Sequence, residues 1–129
     1  MDKTLMRIRY FTLILSMLAL LPPSAQAREA FEGVWARTDK ECRDEDGPNS
    51  RVVIDLNSKG GPLAERYEWH CKILKRAPVE QATRVHLRCH EFWEEYTKNQ
   101  NGELRSETWS VRSPTRMLID GKPFVRCIR

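Results

Sequence analysis

A chain of 129 residues with 22 Lys and Arg against 18 Asp and Glu, 40% hydrophobic residues and four cysteines is sized for one domain. The formal charge of +4 comes from acids and bases interspersed along the chain, which excludes an acidic or basic tail. Nucleic-acid binding calls for a basic stripe with aromatics on one face; the interspersed charges give it little support, and no nucleic-acid partner is expected.

The first ten residues set Lys3, Arg7 and Arg9 against Asp2. An uncharged apolar run over 11–21 follows, Pro22-Pro23 ends it, and Ala25-Gln26-Ala27 offers a small-x-small cleavage site. These are the three parts of a secretory signal peptide. A spanning helix needs about 20 apolar residues, and the prolines arrive too early for that. The expectation is a signal peptide over 1–27 and a single exported β-domain over 28–129, periplasmic or secreted. No cysteine precedes Cys42, so no lipid anchor can form at the cleavage point, and no membrane anchor is expected after cleavage. Losing the leader lowers the formal charge by two.

Residues 33–37 (Gly-Val-Trp-Ala-Arg) read as a first strand. A charged loop over 39–46 ends in Asp46-Gly47-Pro48-Asn49, a strong turn signal. The β-branched run 51–56 is a second strand, closed by Asn-Ser-Lys-Gly-Gly-Pro at 57–62. Residues 67–73 and 84–90 alternate apolar and polar, the period of a half-buried strand, with a plausible loop at 76–81. Asn101-Gly102 introduces a strand over 104–111. Asp120-Gly121, between 115–119 and 123–128, is a tight-hairpin signature. Only 64–66 or 91–98 suit a helix, and 91–98 reads equally as a strand running on through a bulge. Seven short runs in about 100 residues predict an all-β fold, a small antiparallel meander barrel whose closure removes sheet edges. A two-sheet β-sandwich is the alternative.

An even cysteine count in a small exported chain reads as a disulfide framework. Zinc is disfavoured because the intervals far exceed the two to four residues of a close Cys pair. Setting Cys71 opposite Cys89 places Ile73 opposite Leu87 and Tyr67 opposite Trp93, all on the cysteines' face. Glu68, His70, Lys72, His86, Arg88 and His90 then share the other. A one-residue slip would put the two patterns on opposite faces, so Cys71–Cys89 is favoured and Cys42–Cys127 remains. The loop-entropy model assigns roughly 3 kcal/mol to the shorter loop and about 4.5 to the longer.

With the early Gly33-Val34-Trp35 and the last-strand arginines, the chain resembles the lipocalin-like barrels. The resemblance implies that Trp35 plugs one barrel end, covered by Arg126 or Arg129. In size, signal peptide and early Gly-x-Trp it is also similar to the small periplasmic metalloprotease inhibitors of Gram-negative bacteria. Those inhibit through an N-terminal trunk, which here would be only residues 28–32, and they carry two cysteines rather than four. The runs Glu32-Gly33-Val34-Trp35-Ala36 and Glu41-Cys42-Arg43-Asp44-Glu45-Asp46-Gly47-Pro48-Asn49-Ser50 resemble uncharacterised small exported proteins of alphaproteobacteria.

His70 and His90 fall directly across from each other in this register and are the candidate metal pair, with Glu68 as an oxygen donor. Lys72 and Arg88 on the same face would repel a cation, so no metal and no cofactor is expected. Asp44, Asp46 and Asp55 echo a calcium loop but lack its Gly and bidentate Glu. Glu91, Glu94 and Glu95 beside Phe92, Trp93 and Tyr96 form an acidic and aromatic segment. The four tryptophans either fill the barrel or line a ligand cavity. No serine sits in a nucleophile elbow. The expected function is a non-enzymatic binding or interaction protein of the cell envelope, its partner a protein or small ligand. A periplasmic proteinase inhibitor is the alternative, and a metal-dependent enzyme the third.

Overall fold

Alternating side chains build eight strands in the computed structural model, which describes residues 30–45 and 47–128. The expected signal peptide, together with Arg28, Glu29, Asp46 and Arg129, lies outside the described residues. The strands are β1 (Gly33–Ala36), β2 (Val52–Asp55), β3 (Leu63–Arg66), β4 (Trp69–Val79), β5 (Ala82–His90), β6 (Glu103–Ser113), β7 (Arg116–Ile119) and β8 (Lys122–Arg126). Each pairs antiparallel with its chain neighbours, and β8 pairs with β1 to close the barrel. That closure rules out the sandwich. A short α-helix, α1 (Trp93–Lys98), joins β5 to β6, and a 3-10 turn spans Glu41–Arg43.

The central hairpin has the register expected from the alternation. Cys71 opposes Cys89, Ile73 opposes Leu87 and His70 opposes His90. Both disulfides form, Cys71–Cys89 and Cys42–Cys127. Three details differ from expectation. Residues 63–66 are strand β3, not helix. The segment 76–81 is mostly strand, since pairing continues to Val79 opposite Ala82; Glu80, at a φ of 54°, supplies the left-handed residue that a tight turn needs. Tyr67 and Trp93 do not pair. Tyr67 lies in the β3–β4 turn beside Glu68, whose φ is 60°, and β5 stops at His90 before Trp93 opens α1.

Residues 93–98 are helical because their charges and their apolar face agree with it. Glu94 and Glu95 sit in the first turn and Lys98 in the last, the order that complements the helix dipole. Lys98 Nζ pairs with Glu94 at 2.7 Å. Asn99 ends the helix in the left-handed conformation. Tyr96 is the buried residue, and it packs on the outside of the barrel, not inside it.

The interior is filled by Trp35, Trp109, Ile54, Leu87, Met117 and Val85, all fully buried. One end is closed by Trp35 and Arg126. The Arg126 guanidinium lies 4.2 Å above the Trp35 ring. It donates to the carbonyls of Pro114 at 2.7 Å and Ala30 at 2.9 Å, and to that of Glu32. Trp35 Nε1 donates to the Phe31 carbonyl at 2.9 Å, and the Phe31 ring packs 5.5 Å from Trp109. Gly33 is required beside this stack: a Cβ there would stand 2.6 Å from Arg126 Nη1, at a φ of +130°.

Replacing Trp35 by Ala removes the largest side chain at the closed end and strips Arg126 of its platform. The expected cost is about 3–5 kcal/mol, read as a lower urea midpoint with an unchanged slope. Arg126→Lys keeps the charge but loses the three-carbonyl fork, so it too should lower the midpoint.

Candidate functional site

The end of the barrel opposite Arg126 is open. The strand ends Arg37, Arg51, Arg66, Trp69 and Lys122 meet there around a cup of about 490 Å³, within the size range of small-molecule sites. Its wall is apolar at Val52, Ile119, Phe124 and Trp69, and its rim is charged. The floor is a fork of ions. Arg66 engages Glu107 through both nitrogens, Nη2 to Oε2 at 2.6 Å, and Glu107 Oε2 also accepts from Trp109 Nε1 at 2.9 Å. Glu107 is 6% exposed, so its charge is tolerated only because these donors satisfy it.

Asp120 spends Oδ1 on the Thr108 amide at 2.8 Å. The remaining rim charges are Arg37, Arg51 and Lys122, with Arg51 only 3.9 Å from the exposed Glu45. Arg37 lies 5.6 Å over the Phe124 ring, and Arg105 stacks 3.9 Å over Trp69. The mouth therefore carries an excess of cations above aromatic walls. Its chemistry suits an anionic head on an apolar body.

The mouth was the least legible part of the sequence. Arg66 lies in a segment with no strand signal of its own. Glu107 had a usable one, because it shares the inward parity of Trp109 and Val111, and an acid among such neighbours needs a buried partner.

The second cluster lies outside the barrel, under α1. His70 and His90 oppose each other there. His90 is fully buried, and its Nδ1 is 2.8 Å from the Gln100 carbonyl. A carbonyl can only accept, so Nδ1 carries the proton. His90 Nε2, His70 Nδ1 and Tyr96 Oη are buried without a hydrogen-bond partner. His70 Nδ1 stands 3.6 Å from Glu65 Oε1. Trp93 stacks on Tyr96 at 5.0 Å and meets the His70 ring edge-on at 5.2 Å. The Lys72 ammonium lies 5.2 Å over the Tyr96 ring. Glu68 is in the turn before β4 and His86 opposes Lys75, two rows along the sheet. Among the described residues no group of three or more His, Cys, Asp or Glu is placed to hold a metal.

Of the other candidates, Asp44 accepts from the Gly47 amide at 3.1 Å and Asp55 from the Asn57 amide at 2.9 Å. Each is spent on its own turn, and Asp46 lies outside the described residues. The four tryptophans divide: Trp35 and Trp109 fill the core, Trp69 walls the mouth, and Trp93 is half exposed on α1.

No family model, no curated protein and no solved structure matches this chain. The lipocalin-like resemblance therefore rests on architecture, an eight-stranded all-antiparallel barrel consistent with that group.

Two outcomes follow from these clusters. Glu107→Ala leaves Arg66 without its partner and the Trp109 N–H without an acceptor, at an expected cost of about 3 kcal/mol in urea unfolding. Burial, and then the Glu65 charge, raise the Tyr96 phenol above its ordinary value of 10.0. Below pH 10 the phenol is neutral in both states; above it the unfolded chain sheds the proton first, so stability falls as pH climbs. Tyr96→Phe should flatten that alkaline fall and remove the late-ionising phenol from the ultraviolet titration.

Proposed function

We propose that this chain is an exported, non-enzymatic binding protein of the cell envelope, which takes a small anionic ligand with an apolar body into the barrel mouth. One observation carries the reading: the barrel is shut at the Trp35–Arg126 end and open at the other, over an aromatic-walled cup rimmed by cations. Val52, Ile119 and Phe124 are almost fully buried, so the apolar surface the cup offers a ligand is chiefly that of the partly buried Trp69, with the exposed Arg37 and Lys122 around it. The Arg66–Glu107 fork gives the floor a fixed polar orientation, and rigid walls limit the entropy lost on binding. Two disulfides fit an oxidising compartment, which supports the expected periplasmic or secreted location.

The test is a thermal-shift screen of the purified domain against fatty acids, other anionic envelope metabolites and metals. Anionic amphiphiles should raise Tm and quench Trp69 emission. An Arg37→Glu/Lys122→Glu variant, altered only at exposed positions, should bind at least about tenfold more weakly, as expected when rim charges are reversed. Inhibition of a secreted metalloprotease without any such shift would instead support the inhibitor alternative. Chelator-sensitive turnover lost in His70→Ala or His90→Ala would support the metal-dependent enzyme.

A further inference from the structure

The sheet register gathers cations that the linear sequence keeps apart. On the outer face of β4, β5 and β6, Lys72, Arg88 and Leu104 form one row, Lys75, His86 and Ser106 the next, and Ala77, Arg84 and Thr108 the third. Lys72, Lys75, Arg84 and Arg88 thus share one surface. The carboxylate ion pairs of the described residues are Arg51–Glu45, Arg66–Glu107, His70–Glu65, Lys98–Glu94 and Arg105–Glu103. None involves these four cations.

Like charges directly across a ladder, as at Lys72 and Arg88, destabilise a sheet. Surface lysines often persist because they keep an edge strand from pairing with another chain. That explanation reaches only Lys75, on the part of β4 that runs past its β3 partner; Lys72, Arg84 and Arg88 are paired on both sides. The concentration of charge needs another reason.

Apolar side chains project from the same surface. Leu104, beside Arg88, is 67% exposed, and Leu74, the extra residue of the β4 bulge, is 50% exposed. Phe92 and Trp93 are also exposed, where α1 packs on β4 and β5. A soluble polyanion would use the cations alone. Cations with protruding leucine and aromatic side chains are the combination that binds an anionic lipid–water interface, where charges meet headgroups and apolar tips enter the acyl boundary. We propose that the β4–β5–β6 face docks the protein peripherally on an anionic bilayer surface, with Phe92 and Trp93 at its margin and the exposed Glu91 and Glu94 of that same segment limiting how closely α1 approaches. This does not rest on what the mouth binds.

The barrel is complete within residues 33–126, so the test uses residues 28–129, free of the leader's own apolar run. Binding is followed by co-sedimentation and Trp93 emission. The probes are vesicles of phosphatidylcholine alone and of phosphatidylcholine mixed with phosphatidylglycerol. The expected result is association with the mixed vesicles only, weakening with salt, and a blue shift that Trp93→Phe abolishes. Lys75→Glu/Arg84→Glu should weaken it by about 20-fold or more, taking roughly fivefold per basic residue lost at an anionic surface. Leu74→Ser/Leu104→Ser should weaken it with the charge unchanged. Both pairs are solvent-exposed or nearly so, and an unchanged thermal midpoint verifies the fold. Equal binding to neutral vesicles, no binding to anionic ones, or indifference to the charge reversal overturns the proposal. So does tight binding to DNA or heparin that ignores the leucine substitutions, which would make the partner a soluble polyanion.

Discussion

The barrel depends on its seam. Between β1 and β8 only two residue pairs meet, Trp35 with Arg126 and Ala36 with Val125, whereas the β4–β5 ladder runs almost the whole length of both strands. The Cys127 amide adds one more backbone bond, to the Val34 carbonyl at 2.7 Å, and side chains reinforce this short ladder. Arg126 lies on the Trp35 ring and ties three backbone carbonyls at the closed end. Just beyond β8, Cys127 is bonded to Cys42 across a separation of 85 residues. Restricting so long a loop weighs heavily on the unfolded chain, by the entropy argument. Gly33 completes the device by leaving space for the guanidinium.

Much of this was legible in the sequence, for a specific reason. Residues 69–73 and 85–89 bury one face only, so their alternation fixes which residues oppose which. Cys71 and Cys89 then fall together, and the remaining cysteine pair follows. Asp120-Gly121 likewise announces its hairpin, with both residues at the positive φ that the turn needs. What stayed hidden has physical causes too. Strand β3 spans four residues after Gly60-Gly61-Pro62 and takes its stability from neighbours on both sides. Helix α1 is too short to show a helical period, and what commits it is tertiary, the burial of Tyr96 on the barrel's outer wall.

The charged surfaces were hidden for a different reason. Lys72, Lys75, Arg84 and Arg88 are separated along the chain by inward residues and by a turn, so no charge run appears. Only pairing brings them together. Glu107 and Arg66 are 41 residues apart and meet only because the barrel closes. Linear charge patterning reads solvated segments well, but a sheet composes its surfaces across strands.

The two disulfides differ in their surroundings. Cys71 and Cys89 are each 1% exposed inside the barrel, while Cys42 and Cys127 are only half-buried beside the seam. The outer bridge is only partly covered, whereas the inner one is shielded by the packed wall. Reductive attack on this protein is therefore ordered. The clasp opens first, leaving a molecule whose hairpin is still locked and whose β1–β8 seam rests on its short ladder and on Arg126.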